Sequence, residues 1–241
     1  MSRYFRKQFT IAVIFILILI VIGLGIYILI KPPKQTCFDK IQNQGETGID
    51  CGGPCGPCDV AKDLIILSQG FIPTTGDYFD LWAKIENPNR EWGAELLSYN
   101  FGRQNKTYLL PQETKYIVEQ RVELNEPSRT EFKTQDISWR KLKDFKELDL
   151  IIKNEKQELI DEKYNRISGN LENKSNYNLD KVEIVAVLFN SQQKIIAVGK
   201  TTLDSIKIGE SRYFQINWPY ELSESISSFI LKAYTNVFLF F

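Results

Sequence analysis

Histidine is absent from all 241 residues, and methionine occurs once, at the start. Without histidine the chain lacks the commonest general base and metal ligand, which counts against most hydrolases and metalloenzymes. Net charge is absent too, with 30 basic residues against 30 acidic. The balance is uneven along the chain: the first 34 residues hold Arg3, Arg6, Lys7, Lys31 and Lys34 and no acid. The remainder is therefore mildly acidic, which argues against nucleic acid as a partner because phosphate binding needs clustered Lys and Arg. Cysteine is confined to Cys37, Cys51, Cys55 and Cys58, and nothing after residue 58 can form a disulfide. No two acidic residues stand out as a glycosidase pair, and no catalytic residue, metal ligand set or cofactor-binding motif is assigned.

What the sequence does have is one long apolar run. From Phe9 to Ile30 there is neither charge nor proline. Twenty residues at about 1.5 Å each give roughly 30 Å, the thickness of a bilayer's hydrocarbon core. This predicts a transmembrane helix over 9–30 and a lipid-bilayer contact through Phe9–Ile30. The basic residues before it predict a cytoplasmic stub at 1–8 and an extracellular remainder, a single-pass protein of the cell membrane. A cleaved signal peptide fits less well. Its apolar region is about 7–15 residues and ends in small residues, whereas this run ends Tyr27-Ile28-Leu29-Ile30-Lys31-Pro32-Pro33. The run is expected to act as an uncleaved signal anchor.

Residues 31–60 form a Pro/Gly/Cys-rich stalk. Between Cys37 and Cys58 the only apolar side chains are Phe38, Ile41 and Ile49, too few to hold a fold without staples. An even cysteine count outside a membrane predicts two disulfides among Cys37, Cys51, Cys55 and Cys58, with three pairings open. Two alternatives use the cluster differently. Cys51, Cys55 and Cys58 have tolerable zinc-ligand spacing, although Cys37 stands alone. Cys55-Gly56-Pro57-Cys58 spells the thioredoxin tetrapeptide, although no strand–helix context surrounds it. Asp39 and Asp50 have the separation of calcium-loop ends, but Ile41 and Gln44 occupy the positions where a ligand and a glycine belong.

The stretch Asn43–Cys55, with its Asp50-Cys51-Gly52-Gly53 core, resembles a short cysteine motif of secreted and surface-anchored proteins. The resemblance implies an outside location and no activity.

Beyond residue 60 an internal repeat sets the organisation. Leu81–Arg90 parallels Ile167–Asn176, and Leu110–Val118 parallels Ile208–Ile216 with one gap. Trp139 and Trp218 each precede a polar stretch and an apolar strand, Leu148–Ile152 and Phe229–Tyr234. Period-two alternation marks strands. Phe79, Leu81, Ala83 and Ile85 share one face, and Val182, Ile184, Ala186 and Leu188 share another. Asn190-Ser191-Gln192-Gln193 is the predicted turn of a hairpin whose return strand is Lys194–Val198. Lys141–Lys146 allows one helical turn. The expected fold is mainly β: two tandem β-sandwiches of about seven strands at 61–160 and 161–241, after one transmembrane helix and the cysteine segment.

Gly169–Asn173, Val182–Asn190 and Ile206–Phe214 are similar to the FxLYD-type domain, an immunoglobulin-like extracellular module, over about residues 163–241. Its hairpin signature reads here as Leu188-Phe189-Asn190, and the first copy is more divergent. The resemblance implies two immunoglobulin-like sandwiches and no catalytic apparatus.

The function expected is non-catalytic: a binding, adhesion or assembly surface at the cell envelope, with a protein or glycan partner outside the cell. Trp82, Trp92, Trp139 and Trp218 give a carbohydrate-binding module as an alternative. Asn105-Lys106-Thr107 and Asn173-Lys174-Ser175 match the glycosylation acceptor pattern, and the apolar Val237–Phe241 tail predicts a last strand or a contact surface.

Overall fold

The computed structural model describes residues 13–23, 37, 39–43, 45–58, 60–143 and 145–240. Two compact units, Met1–Val60 and Ala61–Phe241, are taken in turn. In the first, residues 13–23 form an α-helix exposed along its length. Among the described residues no helix is long and apolar enough to cross a membrane. The rest of the expected span Phe9–Ile30 and the stub at 1–8 lie outside them. Residues 37–58 are turns and bends with one bridge, Gly48 to Cys51.

The second unit is mainly β. Its strands are β1 (Ile65–Pro73), β2 (Tyr78–Glu86), β3 (Trp92–Phe101), β4 (Arg103–Leu109), β5 (Thr114–Glu123), β6 (Lys133–Lys141), β7 (Leu150–Ile160), β8 (Tyr164–Asn173), β9 (Leu179–Phe189), β10 (Ile195–Ile206), β11 (Ser211–Trp218) and β12 (Ser228–Thr235). They build four three-stranded sheets, ordered β1-β2-β5, β4-β3-β6, β7-β8-β11 and β10-β9-β12. Every pairing is antiparallel. Adding six to each label of the first two sheets gives the last two. The repeat seen in sequence is thus a repeat of topology.

Each half encloses its own core, as the alternation demands. Leu81, Ala83 and Ile85 of β2 are fully buried with Leu97 and Phe101 of β3. Ile184, Ala186 and Leu188 of β9 pack with Ile167 and Leu171 of β8 and with Phe214, Ile216 and Trp218 of β11. The predicted hairpin forms between β9 and β10. Gly199 of β10 lies flat under the facing sheet: a Cβ there would meet Ile216 at 2.6 Å and the Trp218 ring at 2.8 Å.

Five expectations change. Each half has six strands among the described residues, not about seven. Leu148–Ile152 does not end the first half, because Leu150 to Ile160 pairs with β8 as the opening strand of the second. Trp139 lies in β6 and Trp218 at the end of β11, so those two tryptophans occupy different places in the repeat. Lys141–Lys146 carries no helix among its described residues, and the C-terminal tail is a 3-10 turn, Val237–Leu239, with Val237 and Phe238 buried.

A third cluster joins the halves. Ile72, Trp82, Tyr116 and Val118 of the β1-β2-β5 sheet meet Val185, Val187, Val198 and Tyr234 of the β10-β9-β12 sheet. Strand β9 is therefore buried on both faces, one against its own core and one against the other half.

Candidate functional site

The cysteines come first because they carry the sharpest chemical expectations. Cys37 pairs with Cys55 and Cys51 with Cys58, with Cα separations of 5.6 and 4.7 Å. Among the described residues none is free. Cys55 and Cys58 are each bonded to another partner, so the Cys-Gly-Pro-Cys tetrapeptide does not close on itself. With all four sulfurs in disulfides there is no thiolate to ligate zinc or attack a disulfide.

The glycines of Asp50-Cys51-Gly52-Gly53 have a steric reason. Both have positive φ, +80° at Gly52 and +57° at Gly53, where L side chains are strained. A Cβ on Gly52 would meet Thr47 Oγ1 at 2.0 Å, and one on Gly53 would meet the Gly45 carbonyl oxygen at 2.5 Å. The acids nearby act as backbone caps. Asp50 accepts from the amides of Asp39 and Lys40, and Glu46 Oε2 accepts from those of Asn43 and Asp50. Asp39 accepts from the Ile41 amide and from Asn43 Nδ2. These carboxylates hold the turns together, which accounts for the acids at calcium-loop spacing without an ion.

In the second unit, two buried asparagines show why the repeat is legible. Asn87 donates through Nδ2 to the carbonyls of Trp92 and Leu110 and accepts at Oδ1 from the Asn89 amide. Asn173, fully buried, donates to Tyr177, Ile206 and Lys207 carbonyls and accepts from the Ser175 amide and hydroxyl. Glu113 and Glu210 correspond as well. Each carbonyl accepts from the preceding asparagine's amide, and each side chain caps an amide three residues upstream, Leu110 or Lys207. The sequon at Asn173 is therefore closed to glycosylation in the folded protein, and Asn105 is tied by Nδ2 to Glu119 Oε1 at 2.8 Å. Asn190, at the end of Leu188-Phe189-Asn190, is buried and holds the hairpin by accepting from the amides of Gln192 and Lys194.

The tryptophans are mostly packing elements. Trp218 is fully buried and donates to the Val198 carbonyl. Trp139 packs on the first core. Trp82 lies across Gly70 of β1 and in the junction. Trp92 is half-buried with the Lys141 ammonium 5.7 Å from its ring centre. They do not form a shared platform.

Sequence reasoning missed a set of buried ionisable groups. Glu119 of β5 accepts from the Tyr99 hydroxyl at 2.6 Å, from Arg103 Nε at 2.7 Å and from Asn105. Burial disfavours its charge, but the hydrogen bonds from Tyr99 and Arg103 outweigh that and hold its carboxyl below the ordinary value. Tyr99 is pushed up in turn, by burial first and then by Glu119. Lys115 is buried with its ammonium 3.4 Å from the Tyr108 ring centre and 5.0 Å from that of Tyr234. Burial lowers its pKa against the pull of Glu113 and Glu183. Asp80, also buried, accepts from the Tyr220 hydroxyl at 2.6 Å and from the Arg121 amide. Its pKa is raised by burial, which exceeds the effect of those two bonds. The signal was there: Lys115 and Glu119 share strand parity with core residue Ile117, so two charges sit at inward positions.

Compared with protein-family models and with curated proteins, the chain matches none.

Proposed function

We propose that this is a membrane-anchored, non-catalytic extracellular protein whose two sheet pairs are tandem immunoglobulin-like sandwiches presenting a binding, adhesion or assembly surface. The observation that carries the proposal is the junction between the halves. Besides its apolar cluster, the Tyr220 hydroxyl of one half donates to Asp80 of the other, and the Tyr116 amide donates to the Tyr234 hydroxyl. Such a junction makes one stiff body of two modules, and rigid scaffolds are what hold exposed loops in fixed relation for recognition. The buried ionisable groups support the same conclusion, since Glu119, Asp80 and Lys115 are each engaged by internal partners. Two disulfides in a small segment suit an oxidising compartment. The apolar run Phe9–Ile30 is the proposed anchor.

Two experiments test the proposal. In intact cells, protease added outside should remove the β unit, and alkaline extraction should leave the anchor in the membrane fraction; an inaccessible or freely extracted chain overturns the topology. Crosslinking at the cell surface should then recover a protein, a glycan or a second copy joined to residues of the β unit. Failure to recover any of the three across crosslinkers of different reach overturns the display role.

A further inference from the structure

We propose that a cleft beside β5, between β4 of the first half and β9 and β10 of the second, is a binding site for a phosphate-bearing small molecule. The cleft has a volume of about 240 Å³ and its walls include Tyr99, Thr107, Lys106, Lys181, Glu183 and Lys200. Three ammonium groups therefore border it, one from the first half and two from the second. The chain after the apolar run is acidic overall, so this local excess of positive charge runs against the composition.

The charge balance within the cleft decides what it takes. Lys200 is held by Glu183, 3.4 Å away. Lys106 and Lys181 have no ion-pair partner among the described residues, and both are exposed to the cleft mouth. Glu119, hydrogen-bonded to the wall residues Tyr99 and Asn105, is already compensated by Arg103, and Asp204 stands opposite Lys181 in the sheet register without an ion pair to it. Two cations without an ion pair thus border a concave polar space that also holds the Lys200–Glu183 pair. Clefts lined by one sign of charge concentrate ions of the other. A doubly charged tetrahedral oxyanion carries the charge to match both ammoniums, and Thr107 also lines the space. The space exceeds a single such ion, leaving room for an organic group esterified to it. Because the lysines come from both halves, an occupant would also reinforce the junction by mass action. The inference does not depend on the membrane topology proposed above.

The test is titration of the purified full-length chain at low ionic strength with inorganic phosphate and, separately, with a hexose phosphate, followed by calorimetry. Saturable one-to-one binding is expected. It should weaken at least about tenfold in the K106Q/K181Q variant, since both unpaired cations of the cleft are removed. Lys133→Gln, on β6, should bind as the unsubstituted chain does. Tighter binding of the ester identifies an organophosphate as the occupant, and equal binding identifies the free ion. As a check that needs no variant, phosphate should protect Lys106 and Lys181 of the native chain from amine acylation and leave Lys133 unprotected. Absence of saturable binding by either ligand, or acylation unaffected by phosphate, overturns the proposal.

Discussion

At the scale of single residues, the structure depends on a few buried polar side chains whose bonds are complete. Asn173 is the strongest case, because five hydrogen bonds converge on one fully buried amide. Replacing it by alanine leaves the Ser175 amide without its acceptor and takes one donor from three carbonyls, of which Tyr177 keeps the Ser175 hydroxyl and Lys207 keeps the Glu210 amide; an unsatisfied buried group costs about 1–3 kcal/mol. Asn173→Ala should therefore lower unfolding free energy by about 1–3 kcal/mol in denaturant titration, and a change below about 0.5 kcal/mol would contradict the network's role. Lys115 should behave in the opposite way. Its charge is disfavoured by burial, so Lys115→Met, of similar length and apolar, is expected to leave stability unchanged or raise it by about 1 kcal/mol. A clear loss on that substitution would mean that the bond to the Tyr108 carbonyl outweighs desolvation.

Glu119 adds a pH dependence. Its carboxyl is held below the ordinary 4.5 in the fold, so its stabilisation is complete above that value and is lost as pH falls through the depressed folded value. The unsubstituted protein should lose stability in acid more steeply than Glu119→Gln, measured by urea midpoints at neutral pH and below 4.5. Parallel acid slopes would show that other carboxylates dominate.

At the scale of strands and turns, the close approach of the two sheets in the second half rests on Gly199. A methyl group there meets Ile216 and the Trp218 ring at under 3 Å, and overpacking of this kind costs typically about 1–3 kcal/mol. Gly199→Ala should lower the thermal midpoint and perturb Trp218 fluorescence; an unchanged spectrum would mean the sheets part without cost. At this scale the sequence was largely legible. Alternation located β2 to its ends, and the Asn190 turn placed the β9–β10 hairpin, because a half-buried strand writes its face into every second residue. The repeat was legible at Asn87 and Asn173 for a chemical reason: a carboxamide can give two donors and an acceptor to three strand ends at once. The Trp139 and Trp218 parallel failed because apolar aromatics occur wherever volume must be filled and do not mark a topological position.

At the scale of the whole molecule, the junction should make the two halves unfold together. Val185 and Val187 are both buried there, and an aspartate at each would place two unpaired charges in an apolar interface. The double substitution V185D/V187D is expected to split one calorimetric transition of the β unit into two. A single transition shifted intact to lower temperature would show that cooperativity comes from elsewhere.

The sequence by itself determined the β class, the doubled topology, the cysteine staples and the apolar run, since each depends on local periodicity, spacing or composition. Only the tertiary structure decided the disulfide pairing, the double burial of β9, the assignment of Leu150–Ile160 to the second half and the convergence of Lys106, Lys181 and Lys200 on one cleft. The physical reason is common to all four. Each depends on which surfaces meet across long sequence separations, and a strand's alternation states which face is apolar without naming what will cover it.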